Sequence, residues 1–186
     1  MRSIYFSLFL FVSLGIFSQT TIREVFKEMP DSIVPYLTTN NRMDFIDFMD
    51  SGMKAEVTNL LEGKSKMLKL TDTYLSVSLN EASSIEMRLL DVSAPVDSAT
   101  QIVCLIRTYG SDVRESTVDF YSLKWHKLQT ADYVTLPSEM YCATIGEQEP
   151  TLTLIPECRL DAPANEEQKE EAKPSIILKW NGASLK

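Results

Sequence analysis

Residues 101–128, QIVCLIRTYGSDVRESTVDFYSLKWHKL, decide the fold. From Ile102 to Ile106 the run is apolar at both parities and rich in β-branched side chains, the pattern of a strand buried on both faces. Gly110, Ser111 and Asp112 then supply turn chemistry. Residues 116–125 resume with alternation, Val118 and Phe120 on one face and Tyr121, Leu123 and Trp125 on the other. Two such runs around a polar loop predict an antiparallel hairpin, expected here at the centre of a sheet.

Working back from this hairpin, Leu75, Val77 and Leu79 alternate with Tyr74, Ser76 and Ser78, and Ile85, Met87 and Leu89 alternate with Glu86 and Arg88. Each run predicts a strand with one apolar face and one wet face. Residues 80–83 turn between them, and residues 91–99, which contain Pro95, link them to the central hairpin. Strand character is expected to begin at Met67, after a loop at residues 62–65. The result is a meander.

Before the sheet the period changes. Thr21 and Glu24 fit a capping box, followed by Ile22, Val25, Phe26 and Met29 at the spacing of one helical face, and Pro30 ends that helix. Asp31 and Ser32 are positioned to cap a second short helix at residues 33–37. A further helix is predicted over residues 42–51, with Thr38, Thr39, Asn40 and Asn41 as candidate caps, Gly52 as its stop, and Phe45, Ile46, Met49 and Met53 as its buried stripe. Residues 55–61 read as a continuing helical turn.

Beyond residue 128 the pattern is weaker. Residues 138–143 fit a short helix, residues 151–155 a strand stopped by Pro156, and residues 175–180 a last strand closed by Asn181-Gly182. Residues 161–174 combine four glutamates with two prolines, the composition of a solvated loop. The Leu-Lys-Trp of residues 123–125 recurs at residues 178–180, but no period elsewhere supports a duplication.

The first residues have a separate role. Arg2, the apolar run of residues 4–17 and the polar residues 18–21 match a secretory signal peptide, with cleavage expected near Ser18-Gln19. The run is shorter than the ~20 apolar residues of a membrane span, so no stable membrane insertion is expected, and no Cys stands where a lipoprotein signal needs one. The expected organisation is a signal peptide at residues 1–18 and one α+β domain at residues 19–186, its N-terminal helices packed on a mainly antiparallel sheet, with an acidic loop at about residues 161–174. The expected location is periplasmic or secreted. A formal net charge of −8 argues against nucleic acid or anionic membrane surfaces as partners.

Met29-Pro30-Asp31-Ser32, residues 35–47 (PYLTTNNRMDFID), residues 53–57 (MKAEV) and residues 116–122 (STVDFYS) carry a resemblance. The chain resembles an uncharacterised exported family of Gram-negative gut bacteria, domain of unknown function 3256. The resemblance spans most of the mature chain and implies export and a shared fold. It brings no catalytic residue with it.

Residue chemistry is correspondingly sparse. His126 is the only histidine, so a two-histidine metal site is impossible, and no Gly-x-Ser-x-Gly elbow accompanies it. Asp44, Asp47 and Asp50 share a helical face but lack a loop ligand set for a cation, which favours a solvated stripe. The glycines are isolated, so no phosphate loop is present. Paired carboxylates for glycoside hydrolysis cannot be chosen from so acidic a chain. Tyr74, Tyr109, Tyr121, Trp125 and Trp180 are either groove lining or packing under other elements, and packing is the commoner use. No catalytic, cofactor-binding or metal-ligating residue is assigned, and no cofactor is expected.

The leading expectation is a non-enzymatic exported module that binds a protein or a small ligand, in an unassigned oligomeric state. A carboxylate-based hydrolase of envelope polymers is the rival, and a cone-shaped helix-then-sheet fold with a ligand pocket is a third reading. In an exported chain the three cysteines allow either a Cys142–Cys158 bridge with Cys104 as a buried thiol, or three free thiols. The bridge requires Cα atoms within about 7 Å.

Overall fold

The computed structural model describes residues 20–156, 158 and 174–186. The expected signal peptide and residues 161–173 of the expected acidic loop lie outside the described residues. Seven strands form one antiparallel meander in which spatial order equals chain order: β1 (Glu56–Thr58), β2 (Lys64–Leu70), β3 (Tyr74–Asn80), β4 (Ser83–Val96), β5 (Ala99–Tyr109), β6 (Glu115–Ser122) and β7 (Lys127–Leu128). A second antiparallel sheet has the order β10-β9-β8, from β8 (Tyr141–Ile145), β9 (Thr151–Pro156) and β10 (Ile176–Lys179). The helices are α1 (Ile22–Lys27), α2 (Thr39–Asp50) and the single turn α3 (Thr130–Tyr133). The class is α+β, with strand dominant.

The two parities of the meander feed two cores. Leu75, Val77, Ile85, Met87, Val103 and Leu105 pack with Ile22, Val25, Phe26, Phe45 and Ile46 beneath the helices. On the opposite face Ile102, Cys104, Ile106, Val118 and Phe120 pack with Tyr141, Ala143, Leu152 and Leu154 of the second sheet. The both-sided apolar run 102–106 is thus a strand between two layers, as its pattern predicts. Each large aliphatic buried in this way contributes roughly 1.5–3 kcal/mol relative to exposure.

Local rules hold at the helix starts. The Thr21 amide donates to Glu24 Oε2 at 2.9 Å. Thr38 and Asn41 cap reciprocally, the Asn41 amide donating to Thr38 Oγ1 at 3.1 Å and the Thr38 amide to Asn41 Oδ1 at 3.2 Å. Gly52, with φ +66°, follows the α2 C-cap in the left-handed conformation that glycine adopts without strain.

Several expectations are corrected. Residues 33–37 form turns rather than a helix. The segment is pinned at its two ends by Arg42, a guanidinium that is 1% exposed and donates to Leu37 O at 2.7 Å and, just ahead of the turns, to Met29 O at 2.6 Å. Met53 is exposed rather than part of the buried stripe, because it lies beyond the Gly52 stop. The expected helical turn at residues 55–61 is strand β1, whose Val57 pairs with Ser65 and buries against the helices. The expected loop at residues 62–65 already contains the start of β2.

Residues 91–99 are not a linker. They are the ends of β4 and β5, which meet at Asp97 and Ser98, both with positive φ. Pro95 is accommodated in a register irregularity between Asp91 and Val96. Residues 138–143 belong partly to strand β8, which buries Tyr141, Cys142 and Ala143. Glu86 and Arg88 do not face water freely, because β8 packs against β4 on their side. A disulfide joins Cys142 to Cys158 with Cα atoms 5.6 Å apart, and Cys104 is a buried free thiol.

Candidate functional site

β8 lies against β4, β5 and β6. The same face of β2 and β3 is left with half-exposed Ser76, Ser78 and Asn80. At this end of the sheet three chain segments converge: the start of β2, the β3–β4 turn at Glu81-Ala82, and the β5–β6 loop that carries Arg114. The first two line an open groove of about 640 Å³ along Gly63, Lys64, Lys66 and Ser78. It adjoins a hollow of about 220 Å³ that reaches Leu68, Ser83, Ser84, Thr108 and Arg114. Ser78, Asn80, Glu81 and Ala82 line both.

The geometry follows from local sequence. Asn80 Oδ1 accepts from the Ala82 amide at 2.8 Å, a side-chain-closed turn that sets the β3–β4 corner. A register shift between Ser78 and Asn80 widens it. Gly110, at φ +114°, lets the β5–β6 loop fold back, since a Cβ there would stand 2.0 Å from the Val113 carbonyl oxygen. The Gly110 amide donates to Ala82 O at 2.8 Å, and the Arg114 amide to Cys158 O at 2.9 Å, so the loop is tied to both the corner and the disulfide.

The lining is cationic and hydroxyl-rich. Lys64 Nζ donates to Thr58 Oγ1 at 2.9 Å, and Lys66 Nζ stands 3.7 Å from Glu56 Oε2. The Lys54 hydrogen bond holds the Glu56 carboxyl below its ordinary value. Arg114 contacts the corner through the Glu81 carbonyl. Two donors at the inner hollow, Ser83 Oγ and Arg114 Nε, are buried without a hydrogen-bond partner among the described residues. Buried polar groups of this kind are normally satisfied.

Beside the groove on the same face stands a titratable cluster. Burial pushes the Glu86 carboxyl up, against the opposing pull of the Ile145 amide, which donates to Glu86 Oε2 at 2.9 Å. The Tyr74 hydroxyl is pushed up to about 12 by burial and by the Glu86 charge. Arg88 donates to the carbonyls of Gly146, Glu147 and Gln148, and Lys69 pairs with Glu147 at 3.0 Å. Burial likewise pushes the Cys104 thiol up, so it serves as a small hydrophobe rather than a nucleophile.

The residues weighed in the sequence fall elsewhere. His126 Nδ1 stands 2.8 Å from Asp97 Oδ2 at the exposed end of the β4–β5 hairpin. Ser122 is fully buried, its Oγ accepts from the Lys124 and His126 amides, and its hydroxyl bonds Asp97 directly. A catalytic serine needs the imidazole between itself and the carboxylate; here the carboxylate is in the middle. Asp44, Asp47 and Asp50 are exposed on α2, with Asp50 paired to Arg23. Among the described residues no group of three or more His, Cys, Asp or Glu is placed to hold a metal ion.

Of the aromatics, Tyr121 and Trp125 meet at 5.4 Å under the helices, and Trp180 stacks on Tyr133 in the second core. Tyr74 is buried, and only Tyr109 of the five is exposed. Sequence reading missed the groove cations. The available signal was the alternation of Lys64, Lys66 and the buried Ser65 and Met67, a half-wet strand where a loop was expected.

Fold and site together define an α+β module in which helices and a small sheet cover opposite faces of a meander, with one polar corner left open. The family model described as "Protein of unknown function (DUF3256)" matches residues 13–154, and the chain belongs to that family. It is similar in structure to a domain of an uncharacterised protein from Porphyromonas gingivalis W83, with a TM-score of 0.70 over 89% of this chain and 96% of that one. The identity is 18%, so this likeness is one of fold. No curated protein matches the chain.

Proposed function

We propose that this chain is an exported, non-enzymatic binding module whose ligand site is the groove at the β2–β4 corner. The observation that carries this reading is the lining of the groove and its adjoining hollow: Lys64 and Lys66 in the groove and Arg114 in the hollow, gathered with serines, threonine and asparagine around the single lining carboxylate Glu81, in a chain whose net charge is −8. A local field opposite to that of the whole protein selects and orients a ligand. Export rests on the signal-like residues 1–18. Among the described residues, no helix is long and apolar enough to cross a membrane.

A second reading, a carboxylate-based hydrolase of envelope polymers, is favoured by one observation, the buried and raised carboxyl of Glu86 beside Tyr74. Such a carboxyl is the usual general acid of glycoside hydrolysis. The two readings separate by experiment. The immobilised mature chain and a Lys64→Glu/Lys66→Glu variant are probed with glycan and peptide arrays, and release of products from polysaccharides and peptidoglycan is followed in parallel. Retention of a ligand by the parent and its loss in the variant supports the binding module. Equal retention, no retention, or polymer cleavage abolished by Glu86→Gln overturns it. For export, the expected result is a chain beginning near Gln19 in the periplasmic or culture fraction, and recovery only as intact precursor in the cytosol overturns it.

A further inference from the structure

We propose that the groove and its adjoining hollow together take an acidic saccharide, with its charged groups on Lys64 and Lys66 of the groove and Arg114 of the hollow and its hydroxyls on the Ser/Thr/Asn floor that the two share or adjoin. This rests on the reading of the corner as a ligand site and names the ligand's chemistry.

Three features select the class. The first is charge. Three cations line the groove and its hollow against one lining carboxylate, Glu81, with the Glu56 carboxylate behind Lys66 at 3.7 Å. The inner hollow also holds two donors without partners, Ser83 Oγ and Arg114 Nε, and Ser83 is 7% exposed. Unpartnered donors beside cations call for an acceptor-rich anionic group.

The second is the floor. Ser78 Oγ donates to Asn80 O at 3.1 Å, Asn80 Oδ1 accepts from the Ala82 amide at 2.8 Å, and Thr108 Oγ1 pairs with Ser116 Oγ at 2.7 Å. Each side chain is held by one local bond and keeps further capacity: lone pairs on the hydroxyls, the amide NH₂ of Asn80. Fixed groups that both donate and accept suit sugar hydroxyls, which do the same. Leu68, 62% exposed at the rim, offers an apolar surface to the C–H face of a pyranose ring.

The third concerns the main chain. β3, β4 and β5 are each paired on both sides, and β2 is paired with β1 over Lys64–Lys66, so the strand residues Lys64, Lys66 and Ser78 along the groove offer no continuous free ladder to which a peptide strand adds. Extended peptides gain most of their affinity from that ladder. A groove of about 640 Å³ is in the range of small-ligand sites, roughly 300–1,000 Å³.

The test is calorimetric titration of the mature chain at low salt with four probes: tetragalacturonate, a sulfated tetrasaccharide of the carrageenan type, neutral cellotetraose and hexaglutamate. The two acidic saccharides distinguish carboxylate from sulfate as the charge read. At least one is expected to bind, more weakly as ionic strength rises. Lys64→Ala and Lys66→Ala should each weaken it about threefold, as for exposed charge pairs. Arg114→Ala should weaken it about tenfold, with Arg114→Lys recovering part of the loss if the loop is intact. Binding of cellotetraose as strong as that of the acidic sugars overturns the anionic assignment. Hexaglutamate binding as strong overturns the saccharide assignment while leaving the corner as a ligand site. Binding of neither acidic saccharide overturns the proposal, and the arrays above then decide separately whether the groove binds anything.

Discussion

The indole Nε1 of Trp125 donates to the main-chain carbonyl of Val25 at 3.1 Å, across a hundred residues of chain. It joins the C-terminal end of the central hairpin to helix α1. Trp125 holds φ +63° in the turn between β6 and β7, so the ring reaches the helix from a conformation that non-glycine residues rarely take.

The helical block is therefore part of the domain. Trp125→Phe, which keeps an aromatic ring but leaves the Val25 carbonyl unpaired, should lower stability by about 1–2 kcal/mol in urea denaturation. Deleting residues 20–61 should give an aggregating product, because Leu75, Val77, Met87 and Leu105 would lose their cover. A soluble truncation with an unchanged sheet spectrum would contradict this.

The Cys142–Cys158 bridge makes a second prediction. It closes a separation of 16 residues, worth roughly 3 kcal/mol in the chain-entropy model. Alkylation after denaturation without reductant should label Cys104 alone, and Cys142→Ser should lower the melting temperature. Labelling of all three cysteines sinks the idea.

Glu86 governs a pH dependence. Its folded carboxyl sits above the ordinary value of 4.5, mainly through burial. Between that value and the folded one the native state holds more protons than the unfolded state, so stability falls as pH rises through this window. Below it both states are protonated and the penalty vanishes. Glu86→Gln, which keeps an acceptor for the Ile145 amide, should therefore be more stable than the parent at pH 7 and equal to it near pH 3. A variant less stable at pH 7 would show that the charged form is favoured in the fold.

Arg88 staples the two sheets by donating to three successive carbonyls of the β8–β9 turn. Arg88→Met keeps most of the buried stem and removes those bonds. The expected loss is about 2–3 kcal/mol, measured by the shift in urea midpoint. A change under about 0.5 kcal/mol, the range of ordinary surface substitutions, would mean that the turn is held by other contacts.

The chain's own order determined the meander and its two faces. Period-two alternation at residues 75–79, 85–89 and 118–125 assigns each side chain to a face whatever lies beyond it, because successive Cβ atoms point to opposite sides of a strand. Thr21, Thr38 and Gly52 likewise act on backbone within a few residues, so the ends of α1 and α2 were legible. What covers the second face was not. Tyr74, Glu86 and Arg88 look like a wet face until β8, more than fifty residues on, is laid over them, and Tyr141–Ile145 becomes a strand because its apolar side meets Ile106, Val118 and Phe120. Nothing in the sequence singles out Arg42, yet it is buried because the turns that follow Met29 bring the Met29 and Leu37 carbonyl groups to it. The groove depends on the same kind of convergence. Lys64, Ser83 and Arg114 come from three segments with no shared period, and only the folding of the β5–β6 loop onto the β3–β4 corner sets the hollow of Ser83 and Arg114 beside the groove of Lys64.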